Sequence, residues 1–280
     1  MKIHFKIQYH TFWGQRILVS GNIPALGSGD YTKALSLGFA FPENWSGAVD
    51  VSAEELKHLQ YKYILLNENT GQYTEEWDAN RKPNVELNGF GYIFCYDHWN
   101  APNTLENTFL TAPFREVLLK DEHPVTELKV TTKYTHLFRV KAPLLNKNHV
   151  LCVVGDCKAL GNWSTQKPVL LNKQDDYWEV RLDLSKCQGE VHYKYGFYDA
   201  EDKRFCYFES GPDRVSYVMN DKKSMVMHHD GFVRMDGEKF RGAGVGLPVF
   251  SIRTKQSFGV GDFGDIKDRK STRLNSSHRT

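Results

Sequence analysis

Apolar and polar residues alternate in short runs along most of the chain. The first 14 residues, MKIHFKIQYHTFWG, are apolar at alternate positions, which is typical of a strand with one buried face and not of a signal peptide. The β-branched run at 149–155 predicts another strand, and clusters of Gly, Asn, Asp and Pro separate such runs. Helical periodicity is weak except at 52–59, where Ser52 and Glu55 have the spacing of a capping box.

A tandem repeat explains the order of these runs. GNIPALG at 21–27 recurs as GDCKALG at 155–161, 134 residues later, and YKY at 61–63 recurs at 193–195, 132 residues later. Three further pairs follow in the same order with an offset of 133: FKI at Phe5 and FRV at Phe138, WSGAVDVS at Trp45 and WEVRLDLS at Trp178, NRKPN at Asn80 and DRVSY at Asp213. Many short strands in each copy predict a mainly β protein with two tandem Ig-like antiparallel β-sandwiches.

The repeat and the changes in pattern divide the chain into five segments. We expect a first module at 1–100, a linker at 101–127 without a clean period, and a second module at 128–222. A polar connector and a further apolar run follow at 223–267. The last segment, 268–280, contains DRKSTRLNSSH, which one reading frame of a common sequencing adapter encodes, and we interpret it as an artefactual tail on a truncated gene.

Composition narrows the function class. The 280 residues carry a net charge of +2, which is too balanced to indicate a nucleic-acid or anionic-membrane partner, and no apolar run is long enough to span a membrane. Five cysteines without a C-x-x-C pair favour buried reduced thiols, and with no export signal we expect a cytoplasmic location. Aromatic residues make up 13%, which suits β-sheet cores and ligand platforms. The oligomeric state is not indicated.

Two short motifs have residue types that occur in metal or nucleotide sites. His228 and His229 are adjacent, so on a strand their side chains point to opposite faces, and no third ligand is spaced nearby. GAGVG at 242–246 lacks the order of a nucleotide-binding glycine loop. We therefore expect no metal site here, and the glycine run is weak evidence for a nucleotide.

Three residues in the turn regions of the second copy suggest a binding face. Trp163 follows a Leu-Gly-Asn turn, Lys194 lies inside YKYGF, and Phe208 lies in CYFESGPDR. If Tyr193 and Tyr195 point into the core, strand alternation places Lys194 on the opposite, exposed face. Two rings and an ammonium group suit a sugar chain, whose C–H face packs on a ring while its hydroxyls accept hydrogen bonds. The alternative is that Trp163 folds back as a lid on the core and Phe208 is merely buried.

These motifs carry a family resemblance over residues 135–218. VVGDCKALGNW, YWEVRLDL, YKYGF and FESGPDR, in that order, resemble the starch-binding modules of carbohydrate-binding module family 20. In that family the tryptophan, the lysine and an aromatic residue before E-x-x-P-N-R form the first α-glucan site. The resemblance implies these roles for Trp163, Lys194 and Phe208. The third position is usually Trp, so Phe208 implies a smaller platform and weaker binding.

The first copy resembles the same family less closely. Gly29 stands where the tryptophan is expected, whereas Lys62 and Trp77 are interpreted as the matching lysine and aromatic residue. Trp13 falls where the family often has a second-site aromatic residue, and the second copy has Lys147 there. The resemblance therefore implies α-glucans such as starch, glycogen and maltodextrins as partners, held by two weak sites on one chain.

The segment before the tail resembles the start of a catalytic barrel. GVGLPVFSI predicts a strand, RTKQSFGVG a loop, and Asp262 or Asp265 the N-cap of a helix. The pattern is similar to the opening of glycoside hydrolase family 77, the amylomaltases. The matching residues are Ala243, Gly244, Pro248, Ser251, Ser257, Gly259, Gly261, Asp262, Gly264 and Asp265.

This second resemblance implies an activity that the chain itself does not contain. It implies the N-terminal part of a retaining 4-α-glucanotransferase, which moves α-1,4-glucan or glucosyl units from maltose or maltodextrins to starch or glycogen. The carboxylates that retention requires lie further along the barrel, so we expect no catalytic residue here. We also expect no cofactor, because glycosyl transfer by paired carboxylates needs none. Two other functions stay open: a non-catalytic starch- or glycogen-binding adaptor, and an Ig-like interaction module without a sugar site.

Overall fold

The structure is a computed structural model, in which two parts of the chain are compact. It describes residues 1–77, 80–85, 89–119, 133–174, 176–219, 223–235, 248–255, 257 and 259–266. One compact unit comprises Met1–Glu238 and the other Lys239–Thr280. In the described residues, no helix has the length and apolar character needed to cross a membrane.

Where the structure describes it, the first module has eight strands and one α-helix. The strands are β1 (Lys2–Gln8), β2 (Gln15–Gly21), β3 (Leu35–Ser36), β4 (Gly38–Ala40), β5 (Asn44–Asp50), β6 (Tyr61–Asn67), β7 (Gln72–Glu75) and β8 (Tyr92–His98). Helix α1 (Ala53–His58) begins at the predicted capping box, because the Ser52 hydroxyl accepts from the Glu55 N–H and the Glu55 carboxylate accepts from the Ser52 N–H. Short 3-10 turns occupy Pro24–Gly29 and Tyr31–Lys33.

The described residues of the second module repeat this plan with nine strands. They are β9 (His136–Lys141), β10 (His149–Gly155), β11 (Val169–Leu170), β12 (Asn172–Lys173), β13 (Trp178–Leu182), β14 (Glu190–Asp199), β15 (Arg204–Phe208), β16 (Arg214–Tyr217) and β17 (Ser224–Phe232). A 3-10 turn, Lys158–Leu160, follows β10 as Pro24–Gly29 follows β2. The interpretation of these residues as mainly β is confirmed.

One sheet runs through both modules and contains parallel pairs, which the expectation of two tandem antiparallel β-sandwiches did not include. Its order is β12-β13-β9-β17-β8-β1-β5-β4, and three of its pairs are parallel: β1 with β8, β9 with β17, and β8 with β17. The expected connector after residue 222 is therefore a central strand from Ser224 to Phe232. The repeat alone did not indicate this, because β8 and β17 pair across more than 120 residues of sequence.

A smaller sheet packs on each face of the shared sheet. The first module contributes β3-β2-β6-β7, and the second contributes β11-β10-β14-β15 with β16 beside β14. Met225 and Met227 of β17 belong to the first core, together with Phe5 and Tyr63, whereas Phe138 of β9 belongs to the second core. Alternate side chains of β9 and β17 thus serve different modules, because successive residues of a strand point to opposite faces.

The two cores contain the same buried polar cluster. In the first module the hydroxyls of Tyr61 and Tyr63 donate to Asp97 at 2.9 and 2.8 Å. In the second module the hydroxyls of Tyr193 and Tyr195 donate to Asp230 at 2.8 and 2.7 Å. Each Asp lies on the C-terminal strand of its module, so the cluster ties the smaller sheet to the shared sheet.

The remaining described segments differ from several expectations. Within the linker, Leu105–Leu110 is a 3-10 helix and Phe114–Leu118 a π-helical turn, and residues 120–132 lie outside the described part. The described end of the predicted barrel strand is instead a 3-10 turn at Val249–Ser251, with Val249 directly after a proline that donates no N–H to a strand ladder. Most of the rest of that strand and the tail 268–280 lie outside the described residues.

Two smaller expectations are settled for the described residues. Asp262 caps the helix that starts at residue 263, since its Oδ1 accepts from the Gly264 N–H at 2.7 Å. All five cysteines are free thiols, but only Cys95 and Cys152 are buried, and the other three are half-buried. The expectation of buried reduced thiols therefore holds for two of them.

Candidate functional site

The turn that presents Trp163 is left-handed at three consecutive residues. Gly161, Asn162 and Trp163 have φ of 80°, 48° and 61°. Glycine and asparagine adopt this region at little cost, but a bulky side chain there is an outlier. The Trp163 N–H donates to the Gly155 carbonyl at 2.7 Å, which holds the turn against the end of β10. An outlier held in this way is a sign of a functional position.

The side chain of Trp163 meets Phe208 instead of covering the core. The two ring centroids are 6.3 Å apart with the planes 75° from each other, and both side chains are half-exposed. Phe208 also rests on Phe205, with a centroid distance of 4.6 Å. The two rings therefore form an angled wall that is open to solvent, and the alternative of Trp163 as a buried lid does not describe its position.

Lys194 lies on the same face as this wall. Tyr193 and Tyr195 are fully buried, and Lys194 between them points the other way, as predicted. Gly196 shares the face of Lys194, and Phe208 is its partner on β15. The Lys194 Nζ is 3.7 Å from Asp213 Oδ1, so the face offers a donor and an acceptor beside the rings. We call Trp163, Lys194, Phe208 and Asp213 the Trp163 face.

A buried ion pair between Glu209 and Arg214 anchors the backbone next to Phe208. Glu209 is 2% exposed and accepts two hydrogen bonds from Arg214 at 2.8 Å and one from the Tyr195 N–H at 3.1 Å. Burial opposes ionisation, but the hydrogen bonds and charge of Arg214 outweigh it and lower the pKa of the Glu209 carboxyl. The end of β15 that carries Phe208 is therefore rigid.

The corresponding face of the first module lacks the wall. Gly29 has a φ of 88° and takes the place of Trp163, and a Cβ there would meet nothing within 4 Å. The Lys62 Nζ forms an ion pair with Glu75 at 2.7 Å, and the Tyr31 hydroxyl donates to the same carboxylate at 2.5 Å. Tyr31 and Tyr73 are neighbours, with ring centroids 5.7 Å apart.

Trp77 does not occupy the position that the sequence analysis assigned to it. Glu75 pairs with Ile64 on β6 as Phe208 pairs with Gly196 on β14, so Glu75 is the counterpart of Phe208. Trp77 lies two residues further along, where its N–H donates to the Asn100 carbonyl at 2.9 Å. Arg81 and Arg214 are 133 residues apart, and the same offset pairs Glu75 with Phe208. The sequence therefore contained the correct match.

Trp13 forms a separate patch. Its side chain is 99% exposed on the turn between β1 and β2, next to Phe12, which is 71% exposed. Lys62 pairs with Ser20, which lies at the far end of β2 from this turn. About five residues of strand, or roughly 17 Å, therefore separate Lys62 from Trp13. The structure therefore does not bring Trp13 and Lys62 together.

The structure also assembles a group of possible metal ligands that the sequence analysis did not foresee. Atoms of His149, Asp199 and Cys206 lie within 4.8 Å of one another, because β10, β14 and β15 are neighbours. His228 and His229 do separate as expected: His228 bonds to the Ser216 hydroxyl at 2.7 Å, and His229 bonds to Asp97.

The fold and the Trp163 face can now be compared with known proteins. The starch binding domain family matches residues 1–90 and 135–227, which is more than half of the chain. The chain belongs to this family, and its predicted resemblance to starch-binding modules is confirmed.

One relative extends the comparison beyond the modules. The 4-alpha-glucanotransferase DPE2 of Oryza sativa subsp. japonica is 33% identical over 282 residues, covering 94% of this chain and 29% of that protein. The chain thus spans less than a third of the relative's length, and the predicted resemblance to a 4-α-glucanotransferase is confirmed.

Two solved structures are similar in part. The Hormoconis resinae glucoamylase is 26% identical, with a TM-score of 0.32, over 37% of this chain and 18% of that chain. The family 20 module of a maltotetraose-forming amylase from Pseudomonas saccharophila STB07 is 21% identical, with a TM-score of 0.28, over 33% of this chain and 97% of that chain.

Proposed function

We propose that this chain is the glucan-binding part of a 4-α-glucanotransferase and that it binds α-glucan through the Trp163 face. The observation that carries the proposal is the left-handed, half-exposed Trp163 beside Phe208 and Lys194. Residues held in such strained conformations cluster at binding and active sites. Membership of the starch binding domain family supports α-glucan as the ligand.

Each side chain of the face has a chemical role in this proposal. The rings of Trp163 and Phe208 pack on the C–H faces of two neighbouring glucosyl units, and their 75° angle fits a curved chain better than a flat one. Lys194 donates to sugar hydroxyls, and Asp213 accepts from them. The ion pair between Lys194 and Asp213 keeps both groups in place when no sugar is bound.

The first module makes a second contact in this proposal. Trp13 offers a fully exposed ring on its own turn, far along β2 from Lys62. Lys62 is held by Glu75, so its amine is less available than that of Lys194, even though Tyr31 and Tyr73 lie beside it. Two weak contacts on one chain strengthen attachment to a polymer, because the second becomes intramolecular.

The activity of the whole protein is also a proposal. The relative's name describes a 4-alpha-glucanotransferase, and the match covers nearly all of this chain. We infer a retaining transfer of α-1,4-glucan units in which the modules hold starch or glycogen. The 223–267 segment leads into the catalytic barrel, and the catalytic carboxylates belong to that barrel. The free cysteines favour a reducing, cytoplasmic location.

A pull-down on insoluble starch tests the binding proposal. We expect the unmodified chain to sediment with starch, and Trp163→Ala with Lys194→Ala to remove most of that binding. Tyr207→Ala with Lys186→Ala is the matched control, since it removes an exposed ring and an exposed lysine elsewhere in the second module. Failure of the unmodified chain to bind would overturn α-glucan binding in favour of an interaction module.

The transferase assignment has its own test, which is the gene sequence that follows residue 267. Several hundred further residues that form a barrel with conserved carboxylates support the transferase. A stop codon directly after this segment in the intact gene contradicts it and favours a non-catalytic adaptor.

A further inference from the structure

A cavity of about 340 Å³ lies where the two modules and the linker meet. Asn80 and Asn100 line it from the first module, Thr104 from the linker, and Tyr177 and Phe232 from the second module. None of the residues of the Trp163 face lines it, so the junction cavity is a separate place in the molecule. Its size is at the lower end of the roughly 300–1,000 Å³ typical of small-molecule sites.

Asn100, which lines the cavity, carries a buried side-chain acceptor. Its side chain is 6% exposed, and its Nδ2 donates to Asn107 Oδ1 at 2.9 Å. Its Oδ1 is buried and accepts no hydrogen bond from the described residues. An acceptor left in this state is costly, and because protein atoms enclose it, a ligand hydroxyl reaches it only after the amide turns toward the cavity. Asn80 and Thr104 add uncharged polar groups to the lining.

Aromatic side chains form the rest of the wall. Trp99, Tyr177 and Phe232 come from three different segments and converge on the cavity. Trp99 is held by Tyr9, with ring centroids 4.8 Å apart, and the Arg139 guanidinium lies 5.0 Å from the centroid of Tyr177. Rings that are fixed in place, together with amides and a hydroxyl, are the chemistry of a sugar site.

The cavity is lined by four cationic side chains, two of which are engaged by carboxylates. Arg139 is bound to Glu179 at 2.8 Å, and Arg81 pairs with Glu76. The other two, Lys82 and Lys141, add amine groups that can donate to sugar hydroxyls. Asp176, also in the lining, accepts a hydrogen bond from Arg115 of the linker at 2.8 Å, which ties the linker to the second module beside the cavity.

We propose that the junction cavity binds the end of a neutral α-glucan, one or two glucosyl units long, independently of the Trp163 face. The proposal rests on the proposed function for the ligand class, α-glucan. Because both modules and the linker contribute lining residues, a bound sugar end also links the two modules. The chain then holds a glucan end at the junction and glucan chains on its surface.

Calorimetric titration with maltose tests this proposal on the full chain. The background chain carries Trp13→Ala, Trp163→Ala and Lys194→Ala, which remove the surface contacts proposed above. Thr104→Phe then fills the cavity, since the Thr104 side chain lines it and makes no capping hydrogen bond. Thr108→Phe is the matched control, because Thr108 is exposed on the same 3-10 helix and does not line the cavity.

We expect the background chain to bind maltose, with affinity reduced at least about tenfold by Thr104→Phe and changed less than about twofold by Thr108→Phe. Tyr177→Ala, which removes a wall instead of filling the space, should weaken binding in the same way. Absence of maltose binding in the background chain, or undiminished binding in both cavity variants, would overturn the proposal. Tighter binding of glucose 6-phosphate than of maltose would contradict the proposal that the ligand is neutral.

The outcomes separate this inference from the proposed function. If the unmodified chain binds starch and the background chain binds no maltose, only the junction site fails. If the unmodified chain binds no starch but the background chain binds maltose in a Thr104-dependent way, the junction site stands and the Trp163 face fails.

Discussion

Trp163 and Gly29 have the same left-handed backbone conformation at equivalent positions of the two modules, with φ of 61° and 88°. Gly29 shows that the turn forms without a side chain, and the space around it is open. Trp163 therefore does not serve to close the core. Its backbone costs about 1–2 kcal/mol relative to glycine, and its ring is angled against Phe208 on the surface. This combination is the physical basis for assigning it to ligand binding.

Enlarging the second ring of the face should tighten binding. Phe208→Trp adds ring area beside Trp163, and we expect a gain of about 0.5–1 kcal/mol, or two- to fivefold in affinity for maltoheptaose. Tyr207→Trp is the control, since Tyr207 stacks on Phe197 on the other side of β15 and should leave affinity unchanged. Equal or weaker binding by Phe208→Trp, with stability intact, would show that Phe208 does not contact the sugar.

The repeated glycines at the strand ends should tolerate no side chain. A Cβ on Gly155 would lie 2.5 Å from the His192 carbonyl oxygen and 2.7 Å from Leu160 Cδ1, and Gly21 is enclosed in the same way. We expect Gly155→Ala and Gly21→Ala each to lower the free energy of unfolding by about 1–3 kcal/mol in urea titrations. Gly38→Ala is the control, with its nearest atom 3.6 Å away. A loss equal to that of the control would contradict the close approach.

Arg139 should couple the two modules. It belongs to the second module but donates to the carbonyls of Lys82 and Pro83 in the first, at 2.8 and 3.1 Å. Arg139→Met breaks these bonds and leaves the buried Glu179 with Arg181 as its remaining cationic partner among the described residues, so we expect a loss of about 3–5 kcal/mol. Adding Glu179→Met should recover part of that loss in urea unfolding. If the single variant is as stable as the unmodified chain, this contact does not hold the modules together.

The free energy of unfolding should decrease as the pH is lowered, because a buried histidine must stay neutral in the folded chain. Burial, and then the proximity of His228, lowers the pKa of His136 to about 3 from an ordinary value of 6.5. Between these two values the unfolded chain binds a proton that the folded chain does not, so unfolding becomes easier as the pH falls, by about 1.4 kcal/mol per pH unit for this group. His136→Gln should reduce that slope between pH 6 and 4 in urea titrations. An unchanged slope would show that His136 titrates normally.

Much of the architecture was predictable because the repeated elements are determined by residues that are close together in sequence. The alternation at Ile3, Phe5 and Ile7 and the capping box at Ser52 depend only on neighbouring residues. The same holds for Lys194, whose exposed face follows from the burial of Tyr193 and Tyr195 on either side. These local rules located the Trp163 face without a structure.

The features that were missed depend on long-range pairing. The joining of β8 and β17 into one sheet, and hence the junction cavity, involves residues more than 120 positions apart. Glu75 was overlooked as the counterpart of Phe208 because Trp77, two positions away, is aromatic like Phe208. A shift of two residues places the Trp77 side chain further along the chain than the position that matches Phe208. Asp213 was overlooked because its role depends on contact with Lys194 across β14 and β16.

The central claim is that Trp163 binds glucan and is not needed for folding. Trp163→Gly tests both parts at once, because glycine adopts the left-handed turn without strain, as Gly29 does. The measurement is the affinity of the full chain for maltoheptaose by calorimetry, with the free energy of unfolding determined on the same samples. We expect affinity to fall by about tenfold or more and stability not to fall by more than about 1 kcal/mol, because glycine relieves the backbone strain. Unchanged affinity, or a loss of affinity that accompanies a large loss of stability, would contradict this account.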